Sequence, residues 1–115
     1  MKGLNELSKE ALRVAEKRIA NGSAMTEDNL KHASEEVVEA VSARENYKHE
    51  KNLSNYTYVR ESDLLADKFD FADDLMDVIV CVLIECAKYN IDVEESLTRC
   101  MEKNRKRAEG IGDKL

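Results

Sequence analysis

Apolar side chains recur at helical spacing in four stretches of the chain, with sharp breaks between them. Leu4, Leu7, Ala11, Ala15 and Ile19 fall on one stripe, so a first helix is predicted from about Leu4 to Ala20, stopped by Asn21-Gly22. A second is predicted to begin after Thr26, a residue suited to an N-cap, and to run to about Asn46 with Leu30, Ala33, Val37, Ala40 and Val41 facing inward. The stretch from Tyr47 to Glu61 is polar, carries tyrosines and shows no helical stripe, so it reads as a loop long enough to be functional. A third helix is predicted from near Ser62 to about Asn90, its seam formed by Leu65, Phe69, Ala72, Met76, Ile79, Leu83 and Cys86. The fourth has Asp92 as N-cap, Glu95 three residues on, and an end before Gly110.

The third helix has two unlike halves. Up to Asp77 it is amphipathic, whereas Val78 to Ile84 is apolar on every side, which calls for cover by neighbouring helices or by another subunit. With no proline and four glycines, the chain lacks the turn punctuation of a sandwich or barrel. The expected fold is therefore all-α: an antiparallel four-helix bundle completed by oligomerisation, as a homodimer or homotetramer. A length of 115 residues with 43% hydrophobic side chains suits one domain, 1–115, with one core.

Charge and cysteine usage narrow the functional classes. With 18 Lys+Arg against 24 Asp+Glu, the net charge of -6 works against binding a nucleic acid polymer. Free nucleotides stay open, because a metal ion reverses local charge. The longest apolar run, Val78 to Ile84, falls far short of the roughly 20 residues of a membrane span. The N-terminus becomes charged at once and has no apolar core of a secretory signal. Cys81, Cys86 and Cys100 are odd in number and lack CxxC spacing, so they are expected to be reduced thiols serving as small core hydrophobes in a cytoplasmic protein.

The chemistry lies in where the acids sit. On the second helix Glu36 and Glu39 fall about 60° apart, on the flank away from Val37 and Val41, with Glu35 beside them. On the third, Asp70, Asp73, Asp74 and Asp77 crowd one face that continues into Cys81 and Ile84. Asp77, at the junction with the apolar half, is expected to be the least hydrated. Like charges at these spacings repel, and no Lys or Arg occurs between Lys68 and Lys88 to neutralise them. A hard divalent cation, Mg²⁺ or Mn²⁺, would do so, although most acidic runs are simply solvated helix faces. His32 shares the flank of Glu36 and Glu39, where hydrogen bonding is favoured over metal ligation; a di-iron bundle would require two Glu-x-x-His motifs, which are absent. His49 is expected to be solvated. Near the C-terminus Asn104 is placed on an inward stripe with Val93, Leu97, Cys100 and Arg107, implying a polar partner or a ligand.

These residues form a recognisable series: Glu35-Glu36-x-x-Glu39, then Asp74-x-x-Asp77-Val78, then Lys103-Asn104-x-x-Arg107. In order and helix placement, over about residues 26–108, the series resembles the MazG-type all-α nucleoside triphosphate pyrophosphohydrolases. That resemblance implies Mg²⁺-dependent cleavage of an NTP or dNTP to a monophosphate and pyrophosphate, removing non-standard or surplus nucleotides. It implies Glu36, Glu39, Asp74 and Asp77 as metal ligands and catalytic residues. Glu35 would be a nearby ligand or water-orienting carboxylate, and Lys103, Asn104 and Arg107 would contact phosphates or the metal site.

Two departures stand out. Asp74 occupies a position usually held by Glu, which shortens the ligand arm and can recruit Asp73 or Asp70. The segment between the two acidic motifs is also long. Tyr47, Tyr56 and Tyr58 can stack on a base, though tyrosines of surface loops more often anchor packing. The same series resembles phosphoribosyl-ATP pyrophosphatase, and a third reading is a non-enzymatic helical module whose acidic face binds a basic protein.

Overall fold

The structure, a computed structural model, describes residues 2–23 and 28–110. It has four helices and, among the described residues, no strand: α1 (Leu4–Ala20), α2 (Asn29–Leu53), α3 (Glu61–Lys88) and α4 (Val93–Ala108). Among these residues no helix is long and apolar enough to cross a membrane.

The helix ends follow from local chemistry. α1 stops where Gly22 takes a positive φ of 81°, with its N–H and that of Ser23 donating to Ile19 O and Arg18 O. Asn90 ends α3 in the same way at φ 53°, with Ile91 N–H donating to Cys86 O. Asp92 caps α4 as expected, Oδ1 accepting from Glu95 N–H at 3.0 Å. The N-cap of α2 is Asp28, whose Oδ1 accepts from Lys31 N–H at 3.1 Å; Thr26 lies outside the described residues.

α2 does not stop at Asn46. It continues to Leu53, through half of the stretch that reads as a loop, because Tyr47 and Glu50 prolong the protected register of Ala40 and Ala43. Lys and Glu in that stretch are also good helix formers. His49 is exposed there, as expected, although on a helix.

The chain divides into two compact units, Met1–Ser23 with Leu83–Leu115, and Ala24–Val82. The first joins α1, the end of α3 and α4. Its buried residues include Ala15, Leu83 and Ile84, and Ser8, whose hydroxyl donates to Leu83 O at 2.5 Å. α1 buries or half-buries Leu4, Leu7, Ala11, Ala15 and Ile19 as its pattern predicts. Asn5 ties α1 to the start of α4: Oδ1 accepts from Val93 N–H at 2.7 Å, Nδ2 donates to Asp92 Oδ1 at 2.9 Å, and its backbone N–H donates to Glu94 Oε2 at 3.0 Å.

α4 itself buries nothing, so the inward stripe through Leu97, Cys100, Asn104 and Arg107 is not realised. Asn104 is exposed, its amide 3.9 Å from Cys100 Sγ, and carries no burial penalty. Cys100 is likewise no core residue, whereas Cys81 is buried and Cys86 half-buried.

In the second unit the protected positions differ from the predicted stripes. On α2 they are Asn29, Ala33, Glu36, Ala40, Ala43, Tyr47 and Glu50, alternately four and three residues apart, with half-buried His32 beside them. On α3 they are Leu64, Asp67, Phe71, Asp74, Val78 and Cys81. Leu30, Val37, Val41, Leu65, Phe69, Ala72, Met76 and Ile79, expected inside, are exposed; Ala33, Ala40 and Leu83 are buried as expected. The buried apolar positions of α2 are thus alanines, while the larger aliphatics on either side of them stay exposed.

The Asn5 network predicts a specific loss. Asn5→Ala leaves the first N–H groups of α4 without their partner and should lower the unfolding free energy by about 1–2 kcal/mol. Asn55→Ala, in the exposed turn after α2, should change it by less than about 0.5 kcal/mol. Urea denaturation of both variants reads the difference.

Candidate metal centre

The second unit presents an acidic cleft of about 510 Å³, lined on α2 by Val38, Glu39, Ser42, Ala43 and Asn46 and on α3 by Asp67, Asp70, Asp73 and Asp74. Its described lining carries five acids and no Lys or Arg. Helical register explains the set, because Glu39, Ser42 and Asn46 recur at three and four residues, as do Asp67, Asp70 and Asp74. Ser42, Asn46 and Asp67 escape the sequence motifs, yet the same register read one turn further would find them.

Glu36 stands apart in its environment. It occupies the protected stripe of α2, its side chain 13% exposed. Burial raises its pKa above the ordinary glutamate value, and Glu39 and Asp77 raise it further by their charge, as does a side-chain hydrogen bond with Glu39; His32 acts in the opposite direction. The imidazole Nε2 lies 3.2 Å from Glu36 Oε1, and Nδ1 lies 3.7 Å from Glu35 Oε2. Asp74 is also pushed up, first by burial and then by Glu39, Asp77, Asp70 and Asp73. Cys81 is raised by burial and by the nearby Glu36 and Asp77. The four acids of the two motifs thus act on one another across α2 and α3. Asp74, not Asp77, is the half-buried member of the α3 group; Asp77 is exposed because the protected register passes through Asp74 and Val78.

The donor set is all oxygen and carries excess negative charge, which suits a hard cation. Among the described residues, however, no three His, Cys, Asp or Glu side chains stand in a group that could hold a metal ion. Glu39 and Asp77 are exposed.

The C-terminal residues belong to the other unit. Lys103 borders a concavity of about 410 Å³ with Thr98, Arg99, Glu102 and Lys106. Asn104 borders another, of about 880 Å³, with Leu4, Leu97 and Met101 among its lining. Arg107 is exposed. Tyr56 and Tyr58 are exposed in the turn after α2, whereas Tyr47 is half-buried with the Lys51 ammonium 5.8 Å from its ring centre.

A pH dependence follows from Glu36. Its folded pKa is raised, so the folded state holds the proton more tightly than the unfolded chain, and the cost of ionisation is present above that raised value. Without metal, stability should increase as pH falls through it towards 4.5. The lowered carboxyls Glu10 and Asp92 lose stability only at lower pH. Thermal melting in chelator should show the rise in the parent and a flatter profile in Glu36→Gln.

Comparison of the chain with protein-family models, with curated proteins and with solved structures gives no match.

Proposed function

We propose that this chain is a Mg²⁺-dependent nucleotide pyrophosphohydrolase of the MazG-like all-α type, cleaving (d)NTP to (d)NMP and pyrophosphate. The observation that carries the reading is the cleft lined by five acids with no Lys or Arg in its lining, beside Glu36 and Asp74, whose carboxyls are pushed up by burial and by Glu39 and Asp77. These four residues would hold the metal, with Asp70 and Asp73 able to replace or extend the short arm of Asp74. Mg²⁺ bound there would supply Lewis acidity, lower the pKa of a water and offset phosphate charge. Glu35, one residue from Glu36 and more exposed, is placed to orient a water at the cluster's edge. Ser42 and Asn46 offer hydrogen bonds to the part of a nucleotide lying along the cleft. The phosphate-contacting role of Lys103, Asn104 and Arg107 rests on the resemblance alone.

The same reading includes the antiparallel course of α2 and α3 and a second copy of the chain. The first is supported by the charge pairs across the two helices, Glu36 being acted on by Asp77 and Asp74 by Glu39, so that numbers rise on α2 as they fall on α3. The second is supported by an apolar groove of about 430 Å³ whose lining includes Val37, Val41, Phe71, Leu75, Met76 and Ile79, beside exposed Leu65 and Phe69. Unpartnered apolar surface of this kind marks an interface.

A panel of nucleoside triphosphates and phosphoribosyl-ATP, assayed for pyrophosphate with Mg²⁺ and with chelator, tests the activity. Release with the triphosphates supports the proposal. Release with phosphoribosyl-ATP alone moves it to that enzyme class, and no release at all leaves an acidic interaction module. Asp77→Asn should reduce turnover about 100-fold or more while leaving the metal-free melting temperature unchanged or higher, since it removes one repelling charge. Light scattering should report a dimer or tetramer at micromolar concentration, and Ile79→Glu should shift it to monomer; a parent chain that is already monomeric contradicts the second copy.

A further inference from the structure

We propose that α4 docks on itself: the concavity along it receives α4 of a second copy of the chain, running antiparallel. The inference lies wholly in the first unit and is independent of the metal-binding reading. α4 buries no side chain, and Leu97 and Met101, one turn apart, are 47% and 60% exposed. Together with Leu4 they form the apolar part of the concavity of about 880 Å³. An apolar stripe left open on a helix of 16 residues calls for cover.

Charge identifies the cover. From Asp92 to Thr98 the chain carries three acids and no Lys or Arg, whereas from Arg99 to Glu109 it carries five Lys or Arg and two acids. This order favours the dipole of the helix itself, and it also makes α4 complementary to its own reversed copy and repellent to a parallel one. The concavity repeats the order, because Glu94 and Arg105, from opposite ends of α4, both line it. Glu94 is held in place by Asn5, whose backbone N–H donates to Oε2 at 3.0 Å. Arg105 meets Glu102 and Glu109 of its own helix in exposed pairs, which exchange at little cost. A two-fold pair then sets Glu94 of each copy opposite Arg105 of the other, with the apolar side chains between them. One short helix is a small interface, so the pair is weak and forms between about 10 μM and 1 mM.

The test is sedimentation of the full chain carrying Ile79→Glu, which removes the apolar groove of the second unit from the comparison, with thermal melting as the control for folding. The expected result is a monomer at about 1 μM and a dimer at about 1 mM. Glu94→Lys and Arg105→Glu, each added singly, set like charges opposite one another and should weaken association by about 10-fold or more. An equimolar mixture of the two should recover the dimer, because each then offers the charge that the other lacks. Should either lose its cooperative melt, Met101→Glu, which places a charge among the apolar side chains, is compared in its place and should remain monomeric. A chain that stays monomeric at about 1 mM overturns the proposal and leaves the concavity to a different occupant. Single variants that associate like the parent overturn it too, as does a mixture no better than either variant alone.

Discussion

A carboxylate stands where a helix pair would ordinarily bury an apolar side chain. Glu36 shares the protected register of α2 with Ala33, Ala40 and Ala43, and the groups acting on it include two further acids. Ionised carboxylates are costly in such a place, through lost hydration and through repulsion acting in the same direction. His32 gives partial relief from one side. The arrangement is unfavourable for the chain by itself, and a cation bound as proposed would turn that cost into affinity.

The second unit has two contrasting surfaces built from the same two helices. The acids of the cleft lie on one side of the α2–α3 contact; Val37, Val41, Leu75, Met76 and Ile79 line an apolar groove from the same pair of helices. Ala43 lines the acidic cleft and Ala40 the apolar groove. The large apolar side chains stay exposed, Phe69 to 62%, as do Glu39, Asp70, Asp73 and Asp77. The first unit relies instead on polar ties: Asn5 satisfies the start of α4 and Ser8 reaches Leu83 O, while α4 buries no side chain.

Helix boundaries were legible wherever capping chemistry is local. Asn21-Gly22, Asn90 and Asp92 mark ends that need no tertiary information, and the bounds of α1 and α4 match their patterns closely, although the inward stripe of α4 is not realised. The inward faces of α2 and α3 were harder to read. Hydrophobic periodicity weights Val, Leu and Phe above Ala, and this chain carries apolar residues on both sides of its alanines, so the strongest stripe is the one left exposed. Tyr47 and Glu50 were missed for a related reason: a mixed polar stretch has no apolar stripe although it prolongs the helix. The mutual influence of Glu36, Glu39, Asp74 and Asp77 could be anticipated from motif spacing, whereas the partial burial of Asp74 and the cleft residues Ser42, Asn46 and Asp67 depend on which face of each helix is turned to the other.

The central claim is that the acids of α2 and α3 repel one another in the metal-free chain and are relieved by a divalent cation. Carboxyl carbon NMR of Glu36, titrated with pH in chelator and again with Mg²⁺, measures this directly. The account predicts a titration above the ordinary glutamate range in chelator, moving to lower pH when Mg²⁺ is present. An ordinary glutamate titration in chelator, or a raised one that Mg²⁺ leaves unchanged, would contradict it.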